Sequence, residues 1–270
     1  MVICHSSLKY VLLFLYMRRL VFLGFVFAFL FGLFMTPVLS AKPTDIPEED
    51  GIYDEPGHPG VKVRVFVHRE RPAKPSTPPT TVCKDDLDSN SFVHKEAWKL
   101  PLTWTYNLNP SSVPASVGSG DLQIIAENGF NGWESASGNK VNFIEGPTTT
   151  VSRQAYDYVN VVTWGRTSGS ALGVTYIRYN STGAVLDVDT IMNTKIAWSW
   201  SNSNTCGLSS TYDAEDIMTH ELGHWLGLTD EYDAASYQNA TMYGYGAKGE
   251  VKKVTLTTGD SAGAFAIYNP

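Results

Sequence analysis

Two histidines and a glutamate lie within five consecutive residues of this 270-residue chain, His220-Glu221-Leu222-Gly223-His224. Histidines four positions apart lie on one face of an α-helix, with Cβ atoms about 5–6 Å apart, so both imidazoles can bind one zinc ion. Glu221 is about 100° further around the helix than His220, where its carboxylate could take a proton from water at the metal. The spacing predicts a metal-dependent hydrolase, although these five residues also occur by chance on ordinary amphipathic helices.

The helix that would carry this motif has recognisable ends. Ser210 can cap its N-terminus, with Asp213 three residues later, much as in a capping box. Gly227 can take the left-handed conformation that ends a helix. The following turn would bring Asp230, six residues after His224, back towards the metal.

A second signature lies downstream, at Ala240-Thr241-Met242-Tyr243-Gly244. Together with the segment from His220 to Asp230, it resembles the zinc helix and Met-turn of the metzincin metallopeptidases, in which a methionine, here Met242, lies beneath the metal. A more diffuse resemblance to the matrixins covers residues 98–269 and includes the ending Ala266-Ile267-Tyr268-Asn269. The resemblance implies an α+β metzincin-like zinc peptidase fold. That fold has a twisted, mostly parallel sheet with an antiparallel edge strand, an active-site helix, the Met-turn and a C-terminal helix.

The resemblance also implies roles for individual residues. Glu221 would be the general base, and the zinc ligands would be His220, His224 and Asp230. Matrixins usually have a histidine as third ligand, but no histidine follows His224 in this sequence. Snapalysin-type metzincins are similar in using an aspartate there. The competing candidates for the third ligand are Glu231, Asp233 and Glu250.

Other residues acquire roles through the same resemblance. Tyr243 or Tyr245 could donate a hydrogen bond to the oxyanion, or both could pack in the wall of the substrate pocket. The strand Ala171-Leu172-Gly173-Val174 would be the sheet edge above the cleft, where a peptide substrate would add as an antiparallel strand. Asp187 and Asp189 could help to bind calcium, or could be solvated on the strand surface.

Composition limits the classes of partner. The net charge is −7 and the sequence has no basic stripe, which disfavours nucleic acids. We expect protein or peptide substrates and a monomeric enzyme. The chain is 43% hydrophobic, and all seven tryptophans fall between Trp98 and Trp225, which places the core in that part of the chain.

The N-terminus predicts export. Leu20 to Met35 is an unbroken apolar run of 16 residues, preceded by Arg18-Arg19 and followed by Ser40-Ala41, as in a secretory signal. The run is short for a membrane-spanning helix, which needs about 20 residues. Retention as a signal anchor is the alternative, in which case the protein would be anchored at the cell surface. The functional start could also be Met17.

Three regions follow from these patterns: residues 1–41 as signal peptide or signal anchor, 42–82 as a Pro-rich linker or pro-segment, and 83–270 as the matrixin-like catalytic domain. Within the linker, Val61 to Val67 alternates apolar and charged residues like a strand. It could be a pro-segment strand that pairs with the catalytic domain, or part of a spacer that holds the enzyme off the cell surface.

The catalytic domain is predicted to alternate strands and helices. The expected strands cover 98–107, 141–144, 158–164, 172–179 and 184–191, with a helix over 121–135, the zinc helix, and a last helix that opens at 256–260.

Cys83 and Cys206 form an even pair in the exported part, and exported proteins favour disulfides. The alternative is that Cys83 is a latency thiol on the zinc. Matrixin pro-segments carry Pro-Arg-Cys-Gly, whereas this chain has Thr81-Val82-Cys83-Lys84. That departure favours a Cys83–Cys206 disulfide.

The sequence therefore predicts a secreted zinc endopeptidase. Two alternatives come from other classes of protein. One is a catalytically inactive binding module on a metallopeptidase scaffold, and the other is a membrane-anchored surface protein.

Overall fold

Eight strands form the main sheet of the computed structural model, which describes residues 46–72, 88–202 and 207–270. Their bounds are β1 Gly51–Asp54, β2 Val61–Glu70, β3 Thr103–Leu108, β4 Asn142–Glu145, β5 Val161–Gly165, β6 Ala171–Asn180, β7 Val185–Asn193 and β10 Tyr245–Gly246. A separate parallel pair joins β8 (Trp198–Ser199) to β9 (Tyr212–Asp213). The helices are α1 Leu122–Ala136, α2 Ala214–Leu226, α3 Ala234–Tyr237 and α4 Thr258–Tyr268, with 3-10 turns at Pro110–Ser112 and Lys252–Val254.

The sheet order is β1-β2-β6-β7-β5-β3-β4, and β10 pairs with β2 beside β1. β3, β4, β5 and β7 are parallel, whereas β6 is antiparallel to β7. The predicted α+β fold with a mostly parallel sheet is confirmed. Among the strands after residue 83, β6 lies at the edge of the sheet, but the β1–β2 hairpin extends the sheet beyond it.

The predicted elements are found with shifted ends. The first strand begins at Thr103 rather than at Trp98, since Pro101 interrupts the extended segment and cannot donate to a ladder. The hairpin between β6 and β7 turns through Asn180 to Gly183 as predicted, with a φ of 77° at Gly183.

The core lies between the sheet and helices α1, α2 and α4. The buried residues of α1 recur at helical spacing and face that core; they are Leu122, Ile125, Ala126, Gly129, Phe130 and Trp133. Gly129 permits a close approach of the helices, because a Cβ there would lie 2.9 Å from the Leu222 side chain of α2. The Trp133 indole N–H donates to the Thr219 carbonyl at 2.8 Å, which fixes α2 against α1.

Asp187 and Asp189 are buried, so the expectation that they are solvated is wrong. The buried Arg178 guanidinium lies 2.8 Å from Asp187 and 3.1 Å from Asp189. Strand pairing sets this triad, because Arg178 stands opposite Asp187 in the β6–β7 ladder. Calcium has no support here, since both carboxylates are already paired with Arg178, which also binds Glu55 at 2.8 Å, and accept the backbone N–H groups of Tyr158 and Ala155.

Several predictions lie outside the described residues, among them the signal segment and both cysteines of the predicted disulfide. Across 46–72, 88–202 and 207–270, no helix is long and apolar enough to cross a membrane.

The disulfide stays a prediction with a direct test. A bond between Cys83 and Cys206 would close a loop of more than one hundred residues. In the chain-entropy model it stabilises the fold by on the order of 4–5 kcal/mol. Mass mapping of the non-reduced exported protein should find one linked peptide. Two free thiols would contradict the disulfide and favour the latency thiol.

Candidate metal centre

Helix α2 carries the predicted motif, and its two ends are fixed by the sequence in different ways. Its N-cap is Asp213, whose carboxylate accepts the backbone N–H groups of Glu215 and Asp216. The predicted cap at Ser210 is wrong, because Tyr212–Asp213 stay extended in the pairing with β8. At the other end Gly227 adopts φ 104°, as predicted, and a Cβ there would lie 2.6 Å from the Trp98 carbonyl oxygen.

The two imidazoles are oriented by backbone carbonyls. His220 Nδ1 donates to the Thr241 carbonyl at 2.7 Å, and His224 Nδ1 donates to the Leu228 carbonyl at 2.9 Å. Each Nε2 then carries its lone pair, and neither has a hydrogen-bond partner among the described residues. Fixing one ring nitrogen on a carbonyl is the usual way in which proteins orient a histidine ligand.

Asp230 completes a group of three ligand atoms. Its Oδ1 lies 3.0 Å from His220 Nε2 and 3.7 Å from His224 Nε2. One ligand atom from each of these three buried residues lies within 4.8 Å of the others. The structure thus brings together the residues that the sequence predicts as zinc ligands.

The electrostatics of this group fit a cation. Burial lowers the pKa of His224 to about 3 and that of His220 well below its usual value, so both rings are neutral and can act as ligands at neutral pH. Burial also raises the pKa of Asp230. Here two buried nitrogen lone pairs face a carboxylate with no proton between them. Without a bound cation this arrangement destabilises the folded state. Two imidazoles and one carboxylate are a donor set that suits zinc.

The competing third-ligand candidates lie elsewhere. Glu231 accepts both the backbone N–H and the ring Nδ1 of His94, at 2.8 and 2.6 Å. Asp233 caps α3. Glu250 lies 3.0 Å from Arg71 and 2.9 Å from Lys252. Each of the three carboxylates is already committed to other partners.

Glu221 is buried beside the three-ligand group. Its Oε2 accepts the Thr175 hydroxyl of β6 at 2.6 Å, and burial raises its pKa to about 8. A Cβ at Gly173 would lie 2.6 Å from Glu221 Oε1, so the glycine leaves room for the carboxylate. Thr175 was not singled out from the sequence, since only the β6 pairing shows that it faces α2.

Met242 is buried beneath the helix segment between the two histidines. A Cβ at Gly223 would lie 2.3 Å from Met242 Sδ, so a glycine is needed for the methionine to pack there. The turn is held by Asp260 of α4, which accepts the backbone N–H groups of Thr241 and Met242 at 2.8 and 3.1 Å. The Thr241 carbonyl in turn orients His220, so Asp260 supports the site indirectly.

Asp260 and Lys253 are site-supporting residues that the sequence analysis missed. The buried Lys253 ammonium donates to the carbonyls of Thr241, at 3.2 Å, and Tyr243, and burial lowers its pKa to about 8. The one local signal is the capping box that Asp260 forms with Thr257 at the start of α4. That motif predicts a helix start but not a contact with the Met-turn.

Replacing Asp260 by alanine should lower the free energy of unfolding by about 2–5 kcal/mol, because two buried N–H groups would lose their acceptor. Urea unfolding at equilibrium measures this. Asp88→Ala is the matched control, since this exposed aspartate binds the same helix end through Thr258. Equal midpoints for the two variants would contradict the role assigned to Asp260.

The tyrosines divide between two environments. Tyr243 is buried against Lys253 and Arg71, whereas Tyr245 lines a cavity of about 360 Å³ together with Asp230 and Tyr232. The Tyr232 and Tyr245 rings meet edge to face at 5.3 Å. Tyr245 and Tyr232 are therefore the tyrosines that share a cavity with the proposed third ligand.

The edge of β6 above the site is not free. Ala171 to Val174 is the predicted sheet edge to which a peptide substrate would add, but β2 pairs with this strand along its length. The physical reason is that the alternating segment Val61 to Val67 supplies an apolar face and unpaired main-chain groups of its own. The predicted strand in the Pro-rich region is thus present, and it pairs with β6.

Comparisons with known proteins point to one family. A family model described as Matrixin matches residues 97–269. Metalloendoproteinase 1-MMP of Arabidopsis thaliana is 41% identical over 58 residues, which cover 22% of this chain and 15% of that protein. The chain thus matches less than one sixth of the length of this relative.

Proposed function

Because the chain belongs to the matrixin family, a family of zinc metallopeptidases, we propose that it is a secreted zinc endopeptidase. The zinc ligands are His220, His224 and Asp230. Glu221 is the general base. The match to a metalloendoproteinase supports internal cleavage of peptides rather than removal of terminal residues.

One observation carries the proposal. Two neutral imidazole nitrogens and a carboxylate oxygen converge in a buried group, and the described residues supply no proton donor between them. A bound zinc ion would supply a Lewis acid that lowers the pKa of water from about 15.7 to about 7 and polarises the scissile carbonyl.

The surrounding residues perform the proton transfers. Glu221 accepts a proton from the attacking water and passes it to the departing amine. The Thr175 hydroxyl holds one oxygen of Glu221 and leaves the other free to accept the proton. Burial raises the pKa of Glu221 to about 8, so a cation nearby is needed to keep it in the carboxylate form at neutral pH. A zinc ion beside it would favour that form, which accepts the proton.

The substrate backbone would bind along β6, at the edge that β2 occupies in this structure. A peptide in extended conformation would pair antiparallel with this strand, as β2 does, and its main-chain groups would supply most of the affinity. β2 pairs with β6 over nearly its whole length and with β10 at its C-terminal end, which supports a groove that takes the middle of an extended chain.

The test combines metal analysis with a cleavage profile on a peptide library, with and without chelator. We compare the intact chain with the chain after limited trypsin digestion, which could remove the β2 segment from the β6 edge. Trypsin is inhibited before the assay. We expect one zinc per chain and chelator-sensitive cleavage. A zinc-loaded protein that cleaves no peptide in either form would favour the inactive binding module instead.

Secretion is supported by the apolar run from Leu20 to Met35 with its basic and small-residue flanks. N-terminal sequencing of the protein from culture medium should place the start after this run. Recovery of the full-length chain in the membrane fraction would favour the signal anchor.

A further inference from the structure

The β2 strand lies where the proposed substrate would lie. On one side it pairs antiparallel with β6, with His68 opposite Gly173 and Phe66 opposite Thr175. On its other side it pairs in parallel with β10, with Arg69 opposite Tyr245. A segment of the chain itself therefore spans the cleft between the β6 rim and the wall that contains Tyr245.

The two faces of β2 have different surroundings. Val63, Val65 and Val67 pack in an apolar cluster away from the site. The alternate residues face the histidines, as strand geometry requires. The Phe66 ring stacks on the His224 imidazole at 3.7 Å between centroids, and the His68 ring lies 3.9 Å from that of His220.

His68 stands out on this inner face because its polar atoms are unused. It is fully buried, and neither ring nitrogen has a hydrogen-bond partner within the part of the chain that the structure describes. Its Nδ1 lies 3.5 Å from Glu221 Oε1. His68, His220 and Glu221 each offer a ligand atom within 4.8 Å of the others.

The backbone is also irregular at this residue. The register between β2 and β6 shifts between His68 and Arg69. Bulges of this kind occur next to active sites, where they redirect a side chain. A buried imidazole without a hydrogen bond destabilises the fold unless something binds it. The groups within reach are the Glu221 carboxylate, at 3.5 Å, and the metal position beside His220.

We propose that β2 is an internal inhibitory strand and that its His68 is a fourth protein ligand to the zinc of the intact chain. The proposal rests on the zinc site proposed above. Catalytic zinc sites keep one position open beside three protein ligands, whereas sites with four protein ligands are closed. With His68 bound, the position next to Glu221 holds an imidazole in place of water, and the intact chain is latent.

Several contacts hold the strand in place until it is displaced or cut away. Arg64 of β2 lies 3.2 Å from Glu96, and Arg71, just after the strand, lies 3.0 Å from Glu250. Substrate and β2 require the same edge of β6, so the two exclude each other. The inhibitory strand is consequently a competitor for substrate and for any small zinc ligand.

The test uses the intact chain loaded with cobalt(II), whose visible absorption reports the ligand set. Wild type, His68→Ala and His68→Phe are compared, and acetohydroxamate serves as the small zinc-binding probe. Both substitutions should change the cobalt spectrum, because each removes a nitrogen ligand. His68→Ala should also bind acetohydroxamate at least about tenfold more tightly, since the binding-competent fraction rises. His68→Phe keeps a ring of similar size in the strand and guards against a folding defect.

The matched control is His58→Ala, an exposed histidine on the same hairpin that contacts Tyr156. It should reproduce the wild-type spectrum and affinity. Identical spectra and affinities for wild type and both His68 variants, with stoichiometric cobalt, would overturn the inference and leave the zinc site intact. Failure of every chain to bind cobalt or zinc would contradict the zinc site itself, and the inference with it.

Discussion

Replacing Glu221 by glutamine should lower kcat/KM by roughly 10²–10⁴-fold, the usual contribution of a general base. The amide keeps the size of the side chain but cannot accept the proton. Zinc content should remain at the wild-type level, because the two imidazoles and Asp230 are unchanged. Hydrolysis of a library-derived peptide is measured after limited trypsin digestion, and zinc is measured on the same samples.

Glu231→Gln is the control for this substitution. Glu231 is a buried neighbour of Asp230, but its carboxylate binds His94 and is not part of the three-ligand group. This variant should keep its turnover. Near wild-type turnover in Glu221→Gln would remove Glu221 from the mechanism, whereas loss of zinc would show that the glutamate acts mainly through metal binding.

The parts of the site that could be predicted from the sequence depend on local geometry. The spacing of His220 and His224 requires only a helix, and the left-handed Gly227 requires only the helix end. Asp230 follows from the length of the turn after that glycine. In each case the chemistry and the backbone conformation are set within about ten residues.

The N-cap of α2 shows where local reasoning fails. Ser210 and Asp213 are both good capping residues, and the sequence between them gives no preference. The pairing of Tyr212–Asp213 with β8 decides for Asp213, and this pairing depends on a segment more than ten residues earlier in the chain. A non-local contact thus sets a local boundary.

The supporting residues were missed for the same reason. Asp260 reaches the Met-turn from a different helix, and Thr175 reaches Glu221 from the sheet. The alternation from Val61 to Val67 predicts a strand, but a period of two residues does not say which edge the strand joins. The position of His68 next to His220 therefore became visible only in the folded chain.

Replacing Asp230 by alanine should reduce zinc affinity by more than roughly 10–100-fold, which is the usual cost of losing a residue that only hydrogen-bonds to a metal ligand. The reason is that ligand number and geometry set the affinity of a zinc site. Asp230→His should restore binding, since an imidazole at this position completes the same kind of tetrahedral site. Glu231→Ala, Asp233→Ala and Glu250→Ala should each retain stoichiometric zinc, because their carboxylates are held elsewhere.

The inhibitory strand makes this prediction sharper. If His68 binds the zinc of the intact chain, it partly replaces the missing carboxylate, so Asp230→Ala alone should lose less affinity than Asp230→Ala combined with His68→Ala. Competition with a chromogenic chelator gives the zinc affinity of wild type, the two single variants and the double variant. The loss of affinity in the double variant should differ from the sum of the two single losses. If the two losses of zinc affinity simply add, His68 does not bind the metal together with Asp230. Full zinc retention in the double variant, with loss in Glu231→Ala, Asp233→Ala or Glu250→Ala, would assign the third ligand to another carboxylate.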